Sequence, residues 1–88
     1  MKLTICIPKM DLQIKKKYIR NIFNKFEFGT IKKIDLINID KSQRCFIHYS
    51  YWNNKEFSQK ILDILNDGKD FKIMYSDPWY WKCSLYRS

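Results

Sequence analysis

The sequence predicts an α+β domain, a four-stranded antiparallel sheet with two helices on one face. Three observations predict it. Four segments alternate apolar and polar residues with the period of two that marks half-buried strands. Two segments repeat apolar residues at helical spacing. The elements follow the order strand–helix–strand–strand–helix–strand, which folds as two split βαβ units with right-handed crossovers and puts the first and third strands at the middle of the sheet. Eighty-eight residues are one domain's worth of chain, with a core predicted over 3–75 and a C-terminal extended segment over 76–88.

The first strand is residues 3–7, with Leu3, Ile5 and Ile7 on one face, Thr4 and Cys6 on the other, and Pro8 as its stop. Residues 12–26 follow as a helix with Ile14, Tyr18, Ile19, Ile22, Phe23 and Phe26 on its apolar stripe, and Gly29 ends that unit. The second strand is 31–39, where Ile34 and Leu36 alternate with Lys33, Asp35 and Ile37. A polar turn over 40–43 leads to the third strand, 43–52, rich in aromatic and β-branched residues. Cys45, Ile47 and Tyr49 face its core side; Arg44, Phe46 and His48 face away.

The second helix begins at Asn53 or Asn54, with Glu56 placed for a capping box if Asn53 is the cap. Phe57, Ile61, Ile64 and Leu65 form its buried stripe, and Gly68 closes it. The fourth strand is 71–75, with Phe71, Ile73 and Tyr75 opposed to Lys72 and Met74. Asp77-Pro78 then bends the chain into the tail, where Trp79, Trp81, Cys83 and Leu85 share one side. Two placements suit those rings. They extend the core along the third strand, against Tyr49, Tyr51 or Trp52, or they lie across the sheet at Phe46, covering it or adding stacking surface.

At residues 3–75 the chain resembles the RNA recognition motif, a ferredoxin-like βαββαβ family. The resemblance rests on IFNKFEFGTIKKIDLI, on Ile5-Cys6-Ile7-Pro8-Lys9-Met10 at the hexamer motif, and on Ser42 to Tyr49 at the octamer motif. It implies that Phe46 stacks on a base and that Ile47 and Tyr49 are core. Arg44 stands where the family has a second aromatic and Cys6 where it has a third; an Arg guanidinium can also stack on a base. FGTIKKIDLI, RCFIHYSYWNN and DPWYWKCS together resemble small proteins of this type encoded by large DNA viruses of eukaryotes. That likeness implies a host cytoplasm, viral factory or virion location.

Charge and composition narrow the function classes. The net charge is +8, and residues 1–33 hold nine basic residues against Asp11 and Glu27 alone. Such asymmetry invites a polyanion, although the excess of Lys over Arg also fits a genome rich in A and T. No apolar run is long enough to span a membrane, and the N-terminal run is too short for a signal peptide, so the reading is a soluble intracellular protein. Cys6, Cys45 and Cys83 are widely spaced and, with His48, give no metal-ligand spacing. Neither a phosphate loop nor a catalytic constellation is present; a thiol–imidazole pair of Cys6 and His48 is the one nucleophile arrangement the strands could bring together.

The expected working surface is therefore the sheet face away from the helices. It combines Thr4, Cys6, Lys33, Asp35, Ile37, Arg44, Phe46, His48, Lys72 and Met74. A separate cluster, Lys15, Lys16, Lys17 and Arg20, lies on the first helix and could meet an anion independently. The expectation is a non-enzymatic module without metal, cofactor or small-molecule substrate, binding single-stranded nucleic acid, RNA above DNA. The alternative is a protein-interaction or virion structural module that keeps the fold without the RNA contacts. The sequence sets no oligomeric state.

Overall fold

The structure, a computed structural model, describes residues 2–87. Seven elements follow in order: β1 (Leu3–Met10), α1 (Lys16–Phe26), β2 (Gly29–Ile39), β3 (Ser42–Trp52), α2 (Glu56–Asn66), β4 (Phe71–Ser76) and β5 (Trp79–Leu85). The strands form one sheet in the order β2-β3-β1-β5-β4, and every neighbouring pair is antiparallel. It follows that β3 and β5 run one way and β1, β2 and β4 the other.

The α+β class stands, but the sheet has five strands rather than four. The tail is not an extension of the domain. Its alternation is that of a strand, and that strand, β5, occupies the place beside β1 expected for residues 71–75. Ile5 pairs with Leu85 and Cys6 with Ser84, and the Tyr86 N–H donates to the Thr4 carbonyl at 2.9 Å. Residues 71–76 are displaced to the edge, hairpinned to β5 through Asp77-Pro78. The middle strand is therefore β1, with β3 one place over. Because β4 runs opposite to β3, the second half is not a split βαβ unit ending at β4; β5 is the strand parallel to β3.

One hydrophobic core lies between a single sheet face and both helices. Ile5 and Ile7 of β1, Cys45, Ile47 and Tyr49 of β3, Ile73 of β4 and Trp81 and Cys83 of β5 meet Ile19, Ile22 and Phe23 of α1 and Ile61, Leu62 and Leu65 of α2. Trp81 is 3% exposed, stacked on Phe23 and Tyr75 with centroids 6.2 and 4.3 Å away and edge-on to Tyr18. From the inner strand β5 this indole adds a large aromatic side chain to the core, and aromatic side chains dominate a small core's energetics.

Several boundaries shift for identifiable reasons. β1 continues past Pro8 to Met10 through a register irregularity after Ile7, which places the Pro where its missing N–H is tolerated. α1 starts at Lys16, not at residue 12, because Asp11 closes a turn first: its carboxylate accepts from the Gln13 N–H at 2.7 Å and its carbonyl from the Ile14 N–H at 3.1 Å. Gln43, expected where the turn meets the third strand, is a buried β3 residue whose amide nitrogen donates to the Asp11 and Ile14 carbonyls at 2.9 and 2.8 Å. It ties the β1–α1 connection to the sheet.

At the other end of α1, the left-handed residue is Glu27 (φ 54°), not Gly29. Gly29 opens β2 instead, and a Cβ there would lie 2.0 Å from the Tyr51 carbonyl oxygen. α2 begins after Lys55, with no side-chain cap; the Asn53 carboxamide oxygen accepts from the Lys55 N–H at 3.0 Å, and Phe57 is exposed while Ser58 and Leu62 take buried places. Gly68 does close α2, in the left-handed conformation, with its own N–H on the Leu65 carbonyl and the Lys69 N–H on that of Ile64. Among the described residues, no helix is long and apolar enough to cross a membrane.

Candidate functional site

The sheet face away from the helices is open, and strand register fixes what stands on it. Cys6 faces Phe46 on one side and Ser84 on the other; Thr4 faces His48. On β2, Lys33 is opposite His48, Asp35 opposite Phe46 and Ile37 opposite Arg44. On the far side, Lys72 is opposite Lys82 and Met74 opposite Tyr80. All of Cys6, Lys33, Arg44, Phe46, His48, Lys72 and Met74 therefore share the one surface on which the sequence placed them. Tyr80, Lys82, Ser84 and Tyr86 join them. Their signal was present in the alternation of residues 79–86, in the phase opposite to Trp81 and Cys83.

At the centre of the face the rings of Phe46 and Tyr86 meet, centroids 5.0 Å apart and nearly perpendicular at 74°. Phe46 belongs to β3 and Tyr86 directly follows β5, two strands separated by β1. Adjacent strands are ~4.8 Å apart, so the rings reach each other only across the side chains of β1. Those are Thr4 and Cys6, both small. A large ring at either position would fill the space in which the two aromatics touch.

Beside this pair, His48 is held at both nitrogens. Its Nδ1 is 3.0 Å from the Thr4 hydroxyl and its Nε2 is 2.9 Å from an Asp35 carboxylate oxygen. Nε2–H donates to the carboxylate, and Nδ1 shares a hydrogen bond with the Thr4 hydroxyl. The Lys33 ammonium reaches the same Asp35 oxygen at 3.8 Å. The hydrogen bond from His48, with the charges of Lys33 and Lys16 as smaller contributions, holds the Asp35 carboxyl below the usual carboxylate range. Asp35 is the sole acidic side chain among the residues of the five strands, and it is already engaged.

The thiol–imidazole pairing does not form. Cys6 lies opposite Phe46, and both His48 nitrogens are occupied by oxygen partners. Burial pushes the Cys6 thiol up, only partly offset by the Arg44 charge. All three cysteines are free; burial raises Cys45 to about 12 and Cys83 further still. Among the described residues, no three His, Cys, Asp or Glu side chains converge to hold a metal ion.

The remaining expected positions divide. Trp81 points into the helix-side core, neither over Phe46 nor against Tyr49 or Trp52, whereas Trp79 is 63% exposed at the β4–β5 hairpin. Lys15, Lys16, Lys17 and Arg20 sit at the start of α1, whose first turn contains no acidic residue and no side-chain cap. They are separate from the open face, on the helix layer. Comparison with protein-family models, with curated proteins and with solved structures finds no match to this chain.

Proposed function

We propose that the open sheet face is a platform for single-stranded nucleic acid, RNA above DNA, in the manner of the RNA recognition motif that the strand sequences resemble. The observation that carries this is the half-buried Phe46 ring paired with the exposed Tyr86 ring on a face that also bears Lys33, Arg44, Lys72 and Lys82. Aromatic rings offer every base a stacking surface, and the cations track the phosphates between bases. Cys6 departs from the family pattern by lacking a ring, and Tyr86, directly after β5, brings a ring to the same neighbourhood. Arg44 and His48 flank Phe46 on β3; the guanidinium plane of Arg44 suits base stacking, while the edge of His48 is held by Thr4 and Asp35. Lys15, Lys16, Lys17 and Arg20 lie on the helix layer, and Lys16 reaches this face only through its charge on Asp35.

Fluorescence anisotropy with labelled oligonucleotides tests the reading. The logarithm of the association constant should fall linearly with the logarithm of salt concentration, by about 0.7 for each phosphate contact to a single strand. Phe46→Ala should weaken binding by about 1–3 kcal/mol, the contribution of one stacked base. A Phe46→Ala protein that binds as tightly as the parent would exclude the platform.

A protein-interaction role is the second reading, favoured by the exposed apolar residues Ile37 (50%) and Met74 (58%) on the same face. It predicts that oligonucleotides leave the sheet's backbone amide resonances unmoved.

A further inference from the structure

A second aromatic group stands on the open face, remote from Phe46. Tyr80 is 47% exposed and directly opposite Met74, and the Lys72 ammonium lies 4.7 Å from the centroid of its ring. Lys72 is in turn directly opposite Lys82. Like charges facing each other across an antiparallel pair destabilise it, and among the described residues neither lysine is paired with a carboxylate. The hairpin thus keeps two mutually repelling cations beside a ring and a thioether.

The register gives the spacing. Ser84 is level with Phe46 across β1, and Tyr80 lies four residues before Ser84 on β5. With ~3.4 Å per residue along a strand and ~4.8 Å between strands, Tyr80 is roughly 17 Å from Phe46. That is several times the ~3.4 Å rise between stacked bases. One strand could occupy both positions only with non-adjacent bases, running diagonally from β3 over β1 and β5 to β4.

We infer that Tyr80, Met74, Lys72 and Lys82 form a second nucleotide station for the same single strand that Phe46 and Tyr86 hold. The inference rests on the platform reading above. A base stacks on the Tyr80 ring against the Met74 thioether, and Lys72 and Lys82 meet the flanking phosphates, which removes their mutual repulsion. The occupant must supply both flat apolar surface and negative charge. An acidic peptide supplies the charge without the flat surface, and an apolar protein surface would leave both ammonium groups buried and unpaired.

The test is amide-resonance mapping and anisotropy with an oligouridylate of about ten nucleotides, within the ~4–16-nucleotide range of stacking platforms. Amides of Tyr80 and Met74 should shift together with that of Phe46. Tyr80→Ala should lose about fivefold or more in affinity while Tyr80→Phe loses none. Lys72→Gln with Lys82→Gln should flatten the salt slope by about 1.4. Shifts at Phe46 alone, or Tyr80→Ala binding like the parent, overturn the second station and leave the first standing. Shifts at neither position overturn both.

Discussion

The ring of Tyr86 meets that of Phe46 edge-on, centroids 5.0 Å apart, above the small side chains of the strand that separates them. Perpendicular aromatic pairs contribute about 0.5–1.5 kcal/mol beyond the area they bury. The pair therefore links the residue that follows β5 to β3 without a backbone hydrogen bond between them. A double-mutant cycle of Phe46→Ala and Tyr86→Ala, read by urea denaturation, should return a coupling of about 0.5–1.5 kcal/mol. Strictly additive losses would mean that the rings are neighbours without being partners.

Asp35 sets the charge of the face. Its carboxylate accepts from His48 at 2.9 Å and lies 3.8 Å from Lys33. Asp35→Asn keeps an oxygen acceptor for His48 and removes the negative charge. Oligonucleotide affinity at low salt should rise, with the gain shrinking as salt screens it. The same carboxyl has a lowered folded-state pKa, so its stabilising contribution is present above the unfolded value near ~3.9 and is lost as pH falls through the folded value. Acid titration of stability should therefore be shallower in Asp35→Asn than in the parent. Identical acid limbs would show that the His48 hydrogen bond does not favour the ionised carboxylate.

Much of this face was legible in the sequence because strand alternation is local. Arg44, Phe46 and His48 fall on one side of β3 by period alone, and the apolar runs around Ile5 and Ile47 identify the core side. Partner choice is not local. Residues 71–75 and 79–85 both alternate, and nothing within either segment says which lies beside β1; the contact of Trp81 with Phe23 is made to another element. Gln43 is similar. A polar residue after Asp40-Lys41-Ser42 reads as the edge of a turn until the Asp11 and Ile14 carbonyls that it serves are brought beside it. Tyr86 was hidden for the same reason, since a residue near the end of a supposed tail has no assigned neighbours.

Gly29 and Gly68 look alike in sequence, each following a helix, yet they answer to different constraints. A Cβ at Gly29 would lie 2.0 Å from the Tyr51 carbonyl oxygen and 2.9 Å from the Trp52 Cα, both backbone atoms that hold the β2–β3 pairing. At Gly68 nothing lies within 4 Å, and only the left-handed φ of 78° opposes a side chain. Gly68→Ala should cost about 1–2 kcal/mol, the left-handed penalty of an L-residue. Gly29→Ala should cost more, about 2–4 kcal/mol, because strands must separate to admit the methyl group. Denaturation midpoints of the two variants decide it, and equal losses would contradict the close approach at Gly29.

Alkaline pH should weaken the fold well before lysine titrates. Cys45 is pushed up to about 12 by burial, and Cys83 and Tyr49 are raised by the same cause. In the unfolded chain the thiols release their protons near pH ~8.5 and the phenol near ~10. Above those values the unfolded state has lost protons that the folded state still holds. Stability must then fall as pH rises, by the linkage between proton binding and folding. The effect should begin near pH ~8.5 and steepen as Tyr49 joins. Cys6, less deeply buried, is raised too. Cys83→Ala removes one of these four groups, so its decline between pH ~8.5 and ~10 should be shallower than the parent's, even though the lost sulfur lowers stability at every pH. Urea midpoints measured across that range distinguish the two effects. Parallel curves for parent and variant would show that the Cys83 thiol ionises as readily folded as unfolded, and that its burial between β5 and the helices exerts no hold on its proton.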